Sequence, residues 1–168
     1  IDGGWKEWER RRPGIPAGSV PAVYFGGGTP SLLTEVELGR IFQVLYDNEY
    51  LTPPTSGSLN EPTNQQTNEL TLEANPDDLD EATIQVLANS PVNRLSIGIQ
   101  SFFEEDLRFM NRAHSAGEAR TAVDKVNQAG FHDVSIDLIY GGQTTTDEMW
   151  AEHPRTAPAA PHTHLPPP

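Results

Sequence analysis

The chain contains no cysteine among its 168 residues. Disulfides are therefore excluded, and so is every thiolate metal ligand that the chain itself might have offered. Basic residues are scarce as well, with 11 Lys and Arg against 24 Asp and Glu and a formal charge of −13. That excess repels a polyanionic backbone and an anionic membrane surface, so no nucleic-acid partner is expected. No apolar run reaches the roughly 18 residues of a membrane span, and no basic start leads into a short apolar stretch. Neither a membrane span nor a secretory signal is expected, and the chain reads as cytoplasmic. It opens on Ile1 rather than Met, which suggests a missing beginning. The length suits one domain, or a piece of one, around a single core.

Glycine, by contrast, is concentrated where it matters. Residues 23–30 read Val-Tyr-Phe-Gly-Gly-Gly-Thr-Pro, an apolar and aromatic run that ends in three glycines and a proline. Glycine permits positive φ and close approach of another molecule to the backbone, so the run predicts a strand followed by a ligand-binding loop. A tight turn without a ligand fits the same residues.

Residues 1–19 carry Trp5, Trp8 and the basic run Arg10, Arg11, Arg12 ahead of Pro13, Gly14 and Pro16, which reads as a helix end and a loop. Arginines in a last helical turn complement the helix dipole, and that reading is preferred to a phosphate site. Strand one is expected over 20–25. Thr34 with Glu37 forms a capping box, followed by Leu38, Ile41, Phe42 and Leu45 at helical spacing, so a helix is expected over 34–48. Residues 50–68 collapse into Pro, Thr, Ser, Asn, Gln and Gly and read as a mobile surface insertion.

Strand two is expected over 69–74. Asp77, Asp78, Asp80 and Glu81 then crowd what reads as the first turn of a helix with apolar positions Leu79, Ala82, Val86 and Leu87. These acids suit dipole partners better than metal ligands. Strand three is expected over 94–100, and a short acidic helix then leads to Met110, Asn111 and Arg112. Ser115 with Glu118 is a second capping box, Ala119, Ala122, Val123 and Val126 form a buried stripe, and Gly130 suits a helix C-terminus. Strand four is expected over 132–140. A helix start follows at Asp147, Glu148, Met149 and Trp150, but Pro154, Pro158 and Pro161 argue for a disordered tail over 151–168. His153, His162 and His164 in that tail lack a fixed scaffold for a metal, and no metal ligand is assigned.

Strands alternating with helices predict an α/β fold with parallel pairing. Within the strands, Thr71 and Glu73 share a face, as do Ser96, Gly98 and Gln100, and as do Ser135 and Asp137. One polar face on every strand suggests a lumen that holds a ligand, because ordinary barrels fill their interior with branched apolar residues. Glu73, Gln100 and Asp137 lie toward the carboxyl ends, where barrel enzymes place their sites.

Five stretches then carry a resemblance: VYFGGGTPSLL at 23–33, Glu-Ala-Asn-Pro at 73–76, NRLSIGIQSF at 93–102, Asn-Arg-Ala-His at 111–114 and VSIDLIY at 134–140. In this order and at this spacing they resemble radical SAM proteins, over roughly residues 20–150. More narrowly they resemble the oxygen-independent coproporphyrinogen III oxidase-like branch and, within it, the HemW-type heme chaperones. The resemblance implies a partial (β/α)6 barrel that binds S-adenosylmethionine (SAM) and, in the complete protein, a [4Fe-4S] cluster. It places the backbone of Gly26, Gly27, Gly28 and Thr29 at the amino group of the methionine part. Glu73 would contact that same end or the ribose, Arg112 the methionine carboxylate, and Gln100 with Asp137 the ribose hydroxyls. A planar guanidinium suits a carboxylate, and acidic side chains suit an ammonium, a sulfonium and vicinal hydroxyls.

Two departures accompany it. The C-x-x-x-C-x-x-C cluster loop of the family is absent, so this polypeptide alone is expected to be catalytically inactive and to bind SAM only weakly. Gly142-Gln143 also stands where the family places Leu-Pro after a Tyr-Gly turn. The leading implied function is heme binding and delivery to an acceptor hemoprotein. Gln100-Ser101-Phe102 and Arg112-Ala113-His114 favour the chaperone branch over the dehydrogenase of porphyrin biosynthesis. A nucleotide- or phosphate-binding module is a further alternative, although residues 26–31 fit neither G-x-x-x-x-G-K-[ST] nor G-x-G-x-x-G. His114 suits a hydrogen-bonded loop residue better than a porphyrin contact.

Overall fold

The computed structural model describes residues 10, 18, 20–51 and 68–156. The expectations for Trp5, Trp8, Arg11 and Arg12, for the body of the insertion at 52–67, and for His162 and His164 lie outside the described residues. Four strands, β1 (Ala22–Phe25), β2 (Glu69–Ala74), β3 (Arg94–Gln100) and β4 (Asp133–Leu138), form one sheet in the order β1-β2-β3-β4 with every pair parallel. Helix α1 (Glu35–Asp47) lies between β1 and β2 in the chain, and α2 (Glu81–Ala88) between β2 and β3. Both α3 (Glu104–Phe109) and α4 (Ala116–Gln128) lie between β3 and β4, and α5 (Asp147–Thr156) follows β4. Parallel neighbours need such crossovers, and the alternation of strand and helix supplies them.

The strand alternation sets the core. Leu72 stands opposite Leu95, and Ile97 opposite Ile136; all four are fully buried, as are Ile99 and Val134. Burial of each such side chain contributes about 1.5–3 kcal/mol. Both expected capping boxes form: Thr34 accepts from the Glu37 N–H and Glu37 from the Thr34 N–H, and Ser115 and Glu118 repeat the exchange. Helix α1 buries Leu38, Phe42 and Leu45, with the Phe42 ring 5.5 Å from that of Phe25. The stripe Ala119, Ala122, Val123 and Val126 of α4 is buried, and Gly130 at φ +99° follows its end. At the amino ends of the strands Arg94 reaches Glu69 at 2.9 Å and Asp133 at 3.3 Å, tying β2, β3 and β4 together.

Several boundaries differ from the sequence reading. Strand β1 starts at Ala22 and β4 stops at Leu138. Tyr50 and Leu51, at the edge of the expected insertion, are buried in the core because apolar side chains there have helix α1 and the sheet to pack on. The acidic segment splits: Asp77 and Asp78 lie in a separate 3-10 turn, Pro76–Asp78, and Asp80 caps α2 by accepting from the Thr83 N–H. Helix α2 consequently buries Ile84 and Leu87 and leaves Ala82 exposed, so the expected apolar set is partly replaced.

The tail expectation is corrected over 151–156. Helix α5 passes position 154 and continues to Thr156. A proline within a helix removes a backbone hydrogen bond and crowds the carbonyl one turn back, and here the preceding turn is anchored by packing. His153 is fully buried, with ring centroids 5.1 Å from Phe103, 5.5 Å from Trp150 and 6.0 Å from Phe102. Neither ring nitrogen has a hydrogen-bond partner among the described residues. Burial pushes this imidazole below its ordinary value of 6.5, only partly opposed by the charge of Asp106. The unfolded chain then binds the proton more readily than the folded one, so stability rises with pH through this window. The contribution is expected to be complete above about pH 6.5 and lost as pH falls below it. Urea midpoints measured at several pH values should therefore show a slope that His153→Leu flattens; an unchanged slope would contradict the assignment.

Candidate functional site

Strand β1 delivers the chain to Gly26 at the carboxyl edge of the sheet. Gly27 and Gly28 take φ of +80° and +66°, the left-handed region that glycine alone enters without strain. Gly26 is required for a different reason: a Cβ there would lie 2.7 Å from Cε1 of Tyr24 and 3.1 Å from Oε1 of Glu73. Pro30 then opens a 3-10 turn, Pro30–Leu32, in which the buried Ser31 donates to Asp78 at 3.0 Å. Asn75 donates to the same carboxylate oxygen at 3.1 Å, so the glycine loop is fastened to the segment that leaves β2.

Glu73, near the end of β2, accepts from the Tyr24 hydroxyl at 2.7 Å and from the Gly27 N–H at 3.1 Å. The carboxylate beside it holds the Tyr24 phenol above its ordinary value of 10.0, with burial and the Asp137 charge adding to the effect. Asp137, next to the end of β4, accepts from the Ser96 hydroxyl at 3.0 Å and is exposed. Gln100 closes β3 at φ +67°, where the pairing with β4 shifts register after Ile97. A non-glycine residue in this region costs energy and is often found where a side chain is aimed at a ligand. Gly98 leaves the room that Gln100 occupies, since a Cβ at 98 would stand 2.8 Å from Nε2 of Gln100. Arg112 donates to Oδ1 of Asn75 at 2.9 Å and, at 3.4 Å, to the Gly98 carbonyl.

Glu73, Asn75, Ser96, Gly98, Gln100, Arg112 and Asp137 converge on one cleft of about 210 Å³. Of the eight residues assigned from the sequence, Gly28, Thr29, Glu73, Gln100, Arg112 and Asp137 line it. Gly26 and Gly27 instead line an adjoining apolar cleft of about 310 Å³ with Phe25 and Leu33, and the Gly27 N–H is already used by Glu73. Tyr24, Asn75 and Ser96, which hold three of the site side chains, were not assigned from the sequence. Strand parity puts Ser96 on the polar face, but nothing local marks any of them as a partner. His114 is buried, with Nε2 3.0 Å from the Ile99 carbonyl and Nδ1 3.6 Å from Asp77, a structural tie between the segment ahead of α4 and the sheet. Among the described residues no group of three or more His, Cys, Asp or Glu is placed to hold a metal ion, and no helix is long and apolar enough to cross a membrane.

A parallel β/α sheet with a polar cleft at the carboxyl ends of its strands defines a segment of a TIM-like barrel. The model of the Radical SAM superfamily matches residues 9–157, and the chain belongs to that superfamily. The chain is 36% identical over 127 residues to the heme chaperone HemW of Lactococcus lactis subsp. lactis (strain IL1403), covering 76% of this chain and 30% of that protein. It is 33% identical to the heme chaperone HemW of Bacillus subtilis (strain 168), covering 74% and 30%. Among solved structures it is similar to coproporphyrinogen III oxidase (HemN) from Escherichia coli, described as a radical SAM enzyme, with a TM-score of 0.67 and 28% identity over 89% of this chain and 31% of that one. The chain thus spans about 30% of the length of these curated relatives. Membership of the superfamily implies SAM and a [4Fe-4S] cluster as cofactors.

Proposed function

We propose that this chain supplies the SAM-binding face of a HemW-like heme chaperone, which binds heme and delivers it to an acceptor hemoprotein. The observation that carries the reading is the convergence of Glu73, Gln100, Arg112 and Asp137 beside Gly28 and Thr29 in one cleft. The donor set fits the ligand chemically. The Arg112 guanidinium suits the methionine carboxylate, Glu73 suits the ammonium, and Gln100 with Asp137 suits vicinal ribose hydroxyls. Two carboxylates in the lining also favour a sulfonium cation. Bound SAM supplies an activated sulfonium carbon; these residues bind and orient it. The cluster does not fit the residues present, because none of the 168 is a cysteine.

The second reading, an oxygen-independent coproporphyrinogen III oxidase, draws on the similarity to the Escherichia coli enzyme. Two assays on the intact protein separate them. The chaperone reading expects heme to bind with a shifted Soret band and to pass to an apo-hemoprotein, with coproporphyrinogen III left unchanged under reducing, anaerobic conditions with SAM. Decarboxylation of coproporphyrinogen III without heme transfer would overturn it in favour of the oxidase. Absence of SAM binding would overturn both.

A further inference from the structure

Glu73 is the only one of the assigned site side chains with both of its terminal oxygens hydrogen-bonded within the described residues. One partner is the backbone N–H of Gly27, in the glycine loop. The other is the phenol of Tyr24, a residue of β1 that is 58% exposed and so contributes little to the core. Both the phenol and the carboxylate crowd the position that a Cβ on Gly26 would take, so the first glycine of the loop is what admits this pair. Loop, phenol and carboxylate therefore form one clamp.

We propose that Tyr24 is a positioning residue of the ligand cleft, holding the Glu73 carboxylate so that its remaining lone pairs meet the cationic end of the ligand. The proposal rests on the SAM-binding reading above and deepens it. A glutamate has three side-chain torsions to order when it grips a ligand, and two prior hydrogen bonds order them in advance. A phenol serves better here than a lysine or arginine, because it donates one proton without adding a positive charge that would repel an ammonium or a sulfonium. The elevated phenol keeps that proton throughout the neutral range.

The test is a double-mutant cycle on the intact protein with SAM as the titrant, using Tyr24→Phe, Glu73→Gln and the pair. Tyr24→Phe keeps the ring and removes only the hydroxyl; it is expected to weaken SAM binding about fivefold to tenfold, the range for losing one hydrogen bond, with an unchanged thermal midpoint. In the Glu73→Gln background the same change is expected to add nothing, since the group through which Tyr24 acts is gone. A spectroscopic readout accompanies it. The alkaline absorbance titration of wild type minus Tyr24→Phe should place the phenol above 10, and Glu73→Gln should bring it back down. Wild-type affinity in Tyr24→Phe, factors that multiply in the double variant, or a phenol indifferent to Glu73→Gln would each overturn the proposal while leaving SAM binding intact. A wild-type protein that does not bind SAM would overturn the reading of the cleft, and the proposal with it.

Discussion

Glu73→Ala in the intact protein is expected to weaken SAM binding by about 1–3 kcal/mol, roughly fivefold to 150-fold, in a calorimetric titration. The variant removes the acceptor for the ligand cation and also strands the Tyr24 hydroxyl and the Gly27 N–H, both of which now donate to that carboxylate. The loop would lose its tie to β2 at the same time as the ligand loses its partner. Asp137→Ala is expected to act on the same scale, because it removes a carboxylate from the rim and leaves the buried Ser96 hydroxyl without its acceptor. Glu69 provides the control. It is a carboxylate on the same strand as Glu73 but at the opposite end, paired with Arg94, so Glu69→Ala should leave the SAM titration unchanged. Wild-type curves for both Glu73→Ala and Asp137→Ala would remove the site assignment altogether.

The second large effect is on stability. Ile97→Ala should cost about 3–4 kcal/mol in urea unfolding of the intact protein, within the range for truncating a buried isoleucine. Ile97 is fully buried in β3, paired with Ala74 on one side and Ile136 on the other, so the truncation would leave its cavity in the centre of the packed face of the sheet. Against a typical domain stability of about 5–15 kcal/mol, that loss is large. Val36→Ala, at a 63% exposed position on the first turn of α1, should change stability by less than about 0.5 kcal/mol. Equal losses for the two variants would mean that β3 does not form the centre of the core.

The sequence carried most of the scaffold because its signals are local and periodic. Alternation in LTLEA, LSIGIQ and VSIDL separates a polar from an apolar face whatever strand lies next door, and the Thr34 and Ser115 caps need only a glutamate three residues on. The same logic put Glu73 and Asp137 on the polar faces of their strands, and both line the cleft; Gln100 joins them only across the register shift that follows Ile97. Local reading failed where two features competed for the same residues. The acids at 77–81 suited one helical turn, but Asp78 is drawn off by Ser31 and Asn75, and only Asp80 remains as the cap of α2. Proline at 154 suited a broken helix, yet the turn before it is held by His153 and Trp150 in an aromatic cluster.

By itself, then, the sequence determined the α/β alternation, the strand faces, the helix caps and six of the residues that line the cleft. Only the tertiary structure decided how they are paired: that Tyr24, 49 residues away, is the donor to Glu73, that the Gly27 N–H donates to the same carboxylate, and that a register shift sets Gln100 at positive φ against Gly98. Periodicity is a property of one segment and can be counted along the chain, whereas a hydrogen-bond partner is fixed by which strands become neighbours and in which register, and no single segment contains that information.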